Sequence, residues 1–160
     1  SEKGTSVSYQ WLREGKAIQG ATTRSYLLTT SDVGKRVSVR VTASRAGFQS
    51  AASSSASVKV AKAQGTLKAS AKKVKASKRA KVVVRVKAAG FPKPSGTVRV
   101  KVGKKTVKAK LKASARGKVT VRLPKLKKGR HKLTVRFDAA STTSRYVSRP
   151  KSVKLTLRVR

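Results

Sequence analysis

The sequence predicts an all-β chain that folds as two tandem antiparallel β-sandwiches. Apolar and polar residues alternate with a period of two in most segments, which is typical of half-buried strands. Turn signals containing Gly or Pro separate these segments at short intervals, and no segment combines a helical period with capping residues. The length of 160 residues allows one domain or two small ones.

The charge distribution divides the chain near residue 63. The protein has 42 Lys plus Arg against 4 Asp plus Glu, a formal net charge of +38. Residues 1–62 hold ten basic and three acidic residues, whereas residues 63–160 hold 32 basic residues and one acid, Asp138. The Ser/Ala-rich stretch Ser50–Gly65 predicts a loop that leads into a last strand and a short hinge. We therefore expect domains at 1–62 and 63–160.

Alternation predicts four strands in the first domain, with turns at residues 14–15, 20–23 and 32–34. These strands are Ser6–Leu12, Arg24–Thr29, Arg36–Ala43 and Ala56–Ala61.

Seven strands in about 95 residues predict that the second domain is a β-sandwich. Like charges would repel along every face of a helix over 68–81, so that segment is interpreted as a strand end and a loop. The predicted strands are Gly65–Ala71, Lys81–Lys87, Thr97–Val102, Thr106–Leu111, Lys118–Leu123, Lys132–Phe137 and Val153–Val159.

In residues 7–48, Trp11 lies in an alternating segment, a Gly turn follows it, and Asp32 and Gly34 precede the next strand. This pattern resembles the immunoglobulin-like (Big-type) repeats of bacterial secreted and cell-surface proteins. The match includes a strand-C Trp, a Gly turn and a Leu-x-x-x-Asp-x-Gly element before the next strand. The resemblance implies that Trp11 is the core Trp and packs near Val39 and Tyr26. The residues that carry it are Trp11, Gly15, Ile18, Gly20, Ala21, Thr22, Tyr26, Leu28, Asp32, Gly34, Val37, Val39, Val41 and Thr42.

In residues 65–160, Pro94 and Gly96 lead into one strand, and Pro124 and Gly129 lie before the strand that ends at Phe137. This pattern resembles a second bacterial immunoglobulin-like family. The acidic Gly-Asp that usually follows the strand ending at Phe137 is replaced here by "DAASTTSRY", and Lys or Arg fills most polar strand positions. The resemblance implies a non-enzymatic extracellular module, with Phe137 as a structural residue. The matching residues are Pro94, Gly96, Thr97, Val98, Val100, Gly117, Val119, Val121, Leu123, Pro124, Leu126, Gly129, His131, Leu133, Val135 and Phe137.

Only ten residues precede Trp11, whereas an immunoglobulin-like domain places two strands before this position. We expect the first sandwich to lack those strands. Either the sequence is a fragment of a longer parent chain, or a neighbouring polypeptide supplies a strand by edge addition. The opening residues also lack the apolar core of a signal peptide, which indicates a processed chain or a fragment.

The composition argues against an enzyme, a metal site and a cofactor. One His, two Asp, two Glu and no Cys leave few groups for acid–base, nucleophilic or metal chemistry. We interpret His131 as a packing or surface residue, and Asp32 with Gly34 as a turn that fixes the entry to a strand. No apolar run approaches the roughly 20 residues that a membrane-spanning helix needs.

The same alternation predicts that cations point outward from nearly every strand and turn of the second domain. If Val98, Val100 and Val102 face the core, both outer faces are basic. The candidate polyanion-binding residues are Arg85, Lys87, Arg99, Lys101, Lys104, Lys105, Lys108, Lys110, Arg122, Lys127, Lys128, Arg130, Lys132, Arg136, Lys154 and Arg158.

We expect a secreted or cell-surface protein that binds anionic polymers without sequence specificity. The candidate partners are teichoic acids, acidic polysaccharides and other anions of the cell envelope, or DNA and RNA. The alternative is a structural fibre or spacer subunit, assembled from neighbouring copies by strand complementation of the first domain.

Overall fold

The computed structural model describes residues 4–160 and is all-β, with antiparallel pairing between its strands. It contains two compact units, the first reaching Ala61 and the second comprising Lys62–Arg160.

The first unit is built from one antiparallel sheet in residues 4–61. The sheet order is β2-β1-β3-β4, and β5 also pairs with β3. The longest contact joins β1 to β3, where Trp11 lies opposite Val39. The strands are β1 (Ser6–Arg13), β2 (Lys16–Ala17), β3 (Arg36–Ser44), β4 (Ala51–Ser54) and β5 (Val58–Lys59), and a 3-10 turn covers Thr30–Asp32.

Three predictions for the first unit differ from the structure. The expected strand at Arg24–Thr29 is irregular, because its backbone groups bond to side chains instead of to a neighbouring strand. The Thr29 N–H donates to the Asp32 carboxylate, and the Ser25 carbonyl accepts from the Thr23 hydroxyl. The expected strand at Ala56–Ala61 shrinks to β5.

The Ser/Ala stretch expected to be a loop forms β4, which pairs with the second half of β3. Ser55 separates β4 from β5: its N–H donates to the Val39 carbonyl, and its hydroxyl accepts from the Val39 N–H. The open edge of β3 therefore determines strand formation here and overrides the weak strand propensity of Ser and Ala.

The second unit is a β-sandwich of seven antiparallel strands, as predicted. A three-stranded sheet in the order β10-β7-β6 packs against a four-stranded sheet in the order β12-β11-β8-β9. This 3 + 4 arrangement of antiparallel sheets is immunoglobulin-like. The strands are β6 (Gly65–Ala71), β7 (Lys81–Ala88), β8 (Gly96–Val102), β9 (Lys105–Leu111), β10 (Lys118–Arg122), β11 (Gly129–Ala139) and β12 (Val153–Val159).

Aliphatic side chains from both sheets form the core of the sandwich. Val82, Val84 and Val86 of β7 lie between the sheets with Val98 and Val100 of β8, and each is at most 1% exposed. The aromatic ring of Phe137 joins this core and is also 1% exposed. Because side chains alternate along a strand, this burial fixes the orientation of the polar residues between these positions.

Two further connections close the sandwich. A short α-helix, α1 (Ser141–Ser144), follows β11, and the Thr143 hydroxyl accepts a bond from the Ser95 N–H. The loop after β6 returns beside the end of β12, where Val74 and Val159 form a parallel bridge.

Candidate functional site

All 16 candidate cations lie exposed on the second unit. The positions of most of the strand cations follow from the buried aliphatic residues, because they alternate with inward-facing side chains; Lys105 instead begins β9 opposite Val102. Arg85, Lys87 and Arg122 belong to the three-stranded sheet. The four-stranded sheet carries Arg99, Lys101, Lys105, Lys108, Lys110, Arg130, Lys132, Arg136, Lys154 and Arg158, and the connecting loops carry Lys104, Lys127 and Lys128.

The register of the four-stranded sheet places three of these cations in a line across its strands. Arg136 of β11 lies directly opposite Arg99 of β8, which in turn lies opposite Lys108 of β9. We call these residues the four-strand row. Neighbouring strands are about 4.8 Å apart, and like charges directly opposite each other are destabilising.

The three-stranded sheet has an equivalent line of cations on its own outer face. Lys118 of β10 lies opposite Arg85 of β7, and Arg85 lies opposite Lys68 of β6. We call these residues the three-strand row. Among the described residues, no carboxylate lies within ion-pair distance of any member of this row.

The alternation predicts that Lys118 points outward, but neither Lys118 nor Lys68 was among the candidate site residues. Alternation shows which face a side chain occupies, but the pairing of β6, β7 and β10 is required to show that these lysines flank Arg85. The signal in the sequence was the outward position of both lysines.

A second line on the four-stranded face alternates cations with hydroxyl groups. In this line Lys154 lies opposite Thr134, Thr134 opposite Lys101, and Lys101 opposite Thr106. Ammonium and hydroxyl groups both donate hydrogen bonds to phosphate, sulfate or carboxylate oxygens. This line, together with Arg99 and Arg136 of the four-strand row, borders a shallow depression of 340 Å³, which Ser152 also lines.

Asp138, the one acidic residue of residues 63–160, lies at one end of the outer face of the four-stranded sheet. Its carboxylate accepts from the Arg99 guanidinium and, at 2.7 Å, from Nη2 of Arg149. Arg99 is therefore partly neutralised, whereas Arg136 and Lys108 have no ion-pair partner among the described residues. The two outer faces consequently differ in that only the four-stranded one contains an acid.

His131 occupies a half-buried position near the start of β11. Its Nε2 lies 2.8 Å from the carbonyl oxygen of Lys127, beside the exposed cations Arg130 and Lys132. Within residues 4–160, no three His, Asp or Glu side chains gather into a group that could hold a metal ion. In the same range, no helix has the length and apolarity required to cross a membrane.

In the first unit, Trp11 packs beside both residues expected to contact it. It lies opposite Val39 across the sheet, and its ring centroid is 5.7 Å from that of Tyr26. The indole N–H donates to the Thr23 carbonyl. Trp11 and Val39 are only half-buried, so this side of the sheet is partly open.

Asp32 is fully buried at the end of the 3-10 turn and anchors the same region. Its carboxylate accepts from Nε of Arg13 at 2.7 Å, from the Tyr26 hydroxyl at 3.1 Å and from Thr29. Burial opposes ionisation, but these hydrogen bonds outweigh it and lower the pKa of Asp32 below its ordinary value. Gly34 follows in the left-handed region at φ +81°, and its N–H donates to the Val60 carbonyl.

The face of the first sheet that carries Trp11 is mostly apolar and is uncovered in part. Tyr9, Val41 and Val7 belong to it by register, and Val7 is 52% exposed. Val58 of β5 lies opposite Val37 on this face and is 68% exposed.

No protein-family model and no curated protein sequence matches the chain. Among solved structures, the chain is similar to the fibronectin(III)-like modules of Clostridium thermocellum CbhA, with 12% sequence identity and a TM-score of 0.41. The match covers 100% of this chain and 80% of that one. The immunoglobulin-like architecture of the second unit is accordingly assigned from its own strand order.

Proposed function

We propose that the chain is a non-catalytic, secreted or cell-surface immunoglobulin-like module that binds anionic polymers through its second unit. The observation that carries this proposal is the pair of three-cation rows on the outer faces of a sandwich whose sequence includes one carboxylate. The extracellular setting rests on the resemblance of both segments to bacterial immunoglobulin-like repeats.

The opposed cations of each row raise the electrostatic energy of the free protein, and a bound polyanion lowers it. Directly opposed cations repel each other, and a phosphate or sulfate placed between them replaces repulsion with attraction. Binding also releases the counterions condensed on the polymer, which adds a favourable entropy at low salt. Both contributions weaken as salt screens the charges.

The described second unit has no α-helix longer than the four-residue α1, which favours binding without sequence preference. Reading base edges requires a helix or ribbon that enters a groove, and stacking on single strands requires open aromatic rings. Phe137 is buried, while Phe91 and Tyr146 are half-buried and pack together with ring centroids 5.8 Å apart. We therefore propose teichoic acid, acidic polysaccharide or nucleic acid as partners, recognised by charge density.

Salt titration of binding tests the proposal. We would measure the anisotropy of a fluorescent 12-base-pair DNA duplex and of fluorescent heparin against the full chain from 50 to 500 mM NaCl. Engagement of about four phosphates predicts a slope of log K against log salt near −3.6 for the duplex. Two duplexes of unrelated sequence should bind with equal affinity. A slope shallower than −1, or no binding at 50 mM salt, would refute polyanion binding.

We also propose that residues 1–62 and 63–160 are separate domains. The core of the sandwich comprises residues from 67 to 159, which supports independent folding of the second domain. Residues 62–160 expressed alone should unfold cooperatively with the circular dichroism of a β-sheet protein. A disordered fragment would contradict this division.

The second candidate function is a fibre or spacer subunit, and the open face of the first sheet favours it. A sheet with one apolar face normally buries that face against another layer. In a fibre, a neighbouring copy would cover Val7, Val58 and the ring of Trp11. Large single patches of exposed apolar surface commonly mark such interfaces.

Light scattering separates this alternative from a monomeric binder. At 500 mM NaCl, which screens the cations, a fibre subunit should form larger species as concentration rises. Val7→Ser combined with Val58→Ser should abolish them, whereas Ser8→Asn on the opposite face of β1 should not. A monomer at all concentrations would refute the fibre.

A further inference from the structure

The second unit presents its two cation rows in opposite directions. Arg85 points away from the core on the three-stranded sheet, and Arg99 points away from it on the four-stranded sheet, because their neighbours Val84, Val86 and Val98 are buried between the sheets. Packed sheets lie about 10 Å apart. The two rows are therefore separated by the whole thickness of the sandwich.

We propose that the second unit binds two separate segments of a phosphate-bearing polymer at once, one on each outer face, and thereby cross-links chains. This inference rests on the proposed polyanion binding and extends it: a polymer would be bridged as well as bound. The two sites are the three-strand row and the four-strand row defined above.

Each row is sufficient to hold a polymer segment without help from the other face. Each contains three cations about 4.8 Å apart across the strands, and further exposed cations lie beside them, Lys81 and Arg122 on one face and Lys101 and Lys154 on the other. Cation sets of this kind attract polyanions by charge density.

A stiff polymer cannot satisfy both faces with one segment. Duplex DNA has a persistence length of about 50 nm, far greater than the thickness of a 99-residue sandwich, so one short duplex covers one face only. The opposite row remains unneutralised and available to a second duplex. Once one face is bound to a long polymer, neighbouring polymer segments are present at a raised effective concentration near the other face.

The two sites should differ in strength. Asp138 occupies part of the hydrogen-bonding capacity of Arg99 on the four-stranded face, whereas Lys68, Arg85 and Lys118 have no acid beside them within the described structure. A phosphate on the four-strand row must share Arg99 with this carboxylate. We therefore expect the three-strand row to be occupied first.

The test uses the full chain with 12-base-pair duplexes carrying either a donor or an acceptor fluorophore, at 50 mM NaCl. Titration calorimetry should give two duplexes per chain. Energy transfer between donor and acceptor duplexes should appear when the protein is substoichiometric and fall when it is in excess, since each molecule then holds one duplex.

Two variants with equal charge loss serve as matched controls. One carries Lys68→Ser, Arg85→Ser and Lys118→Ser. The other carries Lys108→Ser and Arg136→Ser of the four-strand row together with Lys154→Ser beside it, so that the ion pair of Arg99 with Asp138 stays intact. All six positions are exposed, and circular dichroism would verify the fold. Each variant should still bind one duplex, and each should lose energy transfer.

The outcomes distinguish the bridging inference from the proposed function. If no duplex binds, polyanion binding and bridging both fail. If one duplex binds and no energy transfer appears, polyanion binding stands and bridging is overturned. Energy transfer that persists in either single-face variant also overturns the inference, because bridging would then involve the first unit or protein self-association.

Discussion

Gly117 occupies a backbone position that no other residue fits. Its φ is +80°, and a Cβ there would overlap the carbonyl oxygen of Val86 in the neighbouring strand. The Val86 N–H also donates to the Gly117 carbonyl at 2.8 Å, so the two backbones are held close together. The turn that leads into β10 therefore depends on the absence of a side chain at this position.

We predict that Gly117→Ala destabilises the second unit by more than about 3 kcal/mol, because strain in the left-handed region adds to backbone overlap. Gly90→Ala is the control: its φ is +68°, but a Cβ there meets open space. The free energy of unfolding of that variant should fall by only about 1 kcal/mol. Urea unfolding followed by circular dichroism measures both, and equal losses would show that the close approach is unimportant.

Asp32 makes the stability of the first unit depend on pH in the acidic range. Its pKa is lowered in the folded state, so its contribution to stability is present above the ordinary value of 3.8. That contribution should decline as pH falls below about 4 and through the lower folded pKa. Trp11 is the only Trp in the chain, so its fluorescence during unfolding reports this unit alone.

The control for the acid effect is Asp32→Asn, which removes the titrating group. This variant should be less stable at pH 7 by about 2–3 kcal/mol, because Arg13 loses a charged partner and Asn cannot accept all the same bonds. Its stability should vary less between pH 5 and 2.5 than that of the wild type. Parallel pH curves for the two proteins would contradict the role of Asp32.

At the scale of elements, the central cation of the three-strand row opposes strand pairing. Arg85 on β7 lies between Lys118 and Lys68 on the adjacent strands. Removing its charge should relieve repulsion on both sides. Arg85→Thr should therefore stabilise the second unit by about 0.5–1 kcal/mol at 20 mM salt, and the gain should shrink in 500 mM NaCl.

Lys87→Thr provides the matched control on the same strand and face. It removes one positive charge, but Lys87 lies opposite Thr66 and has no directly opposed cation. Its effect on the midpoint of thermal unfolding should be smaller than that of Arg85→Thr. If the midpoint of thermal unfolding rises equally in both variants, overall charge rather than strand register determines the repulsion.

The strands of the second unit could be predicted because each has enough alternating residues to specify a buried face. Alternation does not specify the partner strand, so the rows that include Lys68 and Lys118 appear only in the folded register. The first unit was less predictable. Arg24–Thr29 alternates but hydrogen-bonds through side chains, while Ala51–Ser54 has weak strand propensity and still pairs with β3.

Across the whole molecule, charge is concentrated in the second unit. Residues 63–160 have a net charge of +31, whereas residues 1–62 have +7. Self-repulsion destabilises a compact state and is screened by salt. We predict that raising NaCl from 10 to 500 mM increases the thermal midpoint of the second unit more than that of the first.

The chain contains a separate reporter for each unit, which makes this comparison direct. Trp11 fluorescence follows the first unit, and the proton resonances of His131, the only His, follow the second. Addition of sucrose at constant salt controls for general solvent effects. Equal salt-induced shifts for both reporters would contradict the prediction.

The position of the single imidazole has a consequence for proton exchange. His131, with its ring nitrogen at the Lys127 carbonyl, is the only side chain of a type that ordinarily titrates near neutrality. Lys and Arg ordinarily titrate above pH 10, and Asp and Glu below pH 5. The composition therefore supplies few side chains of a type that exchanges protons between pH 6 and 9, so the attraction of the protein for a polyanion should depend on ionic strength more than on pH. Capture of a polymer in this range should be coupled to the exchange of less than about one proton, so its calorimetric enthalpy should differ between two buffers by less than the difference between their ionisation heats.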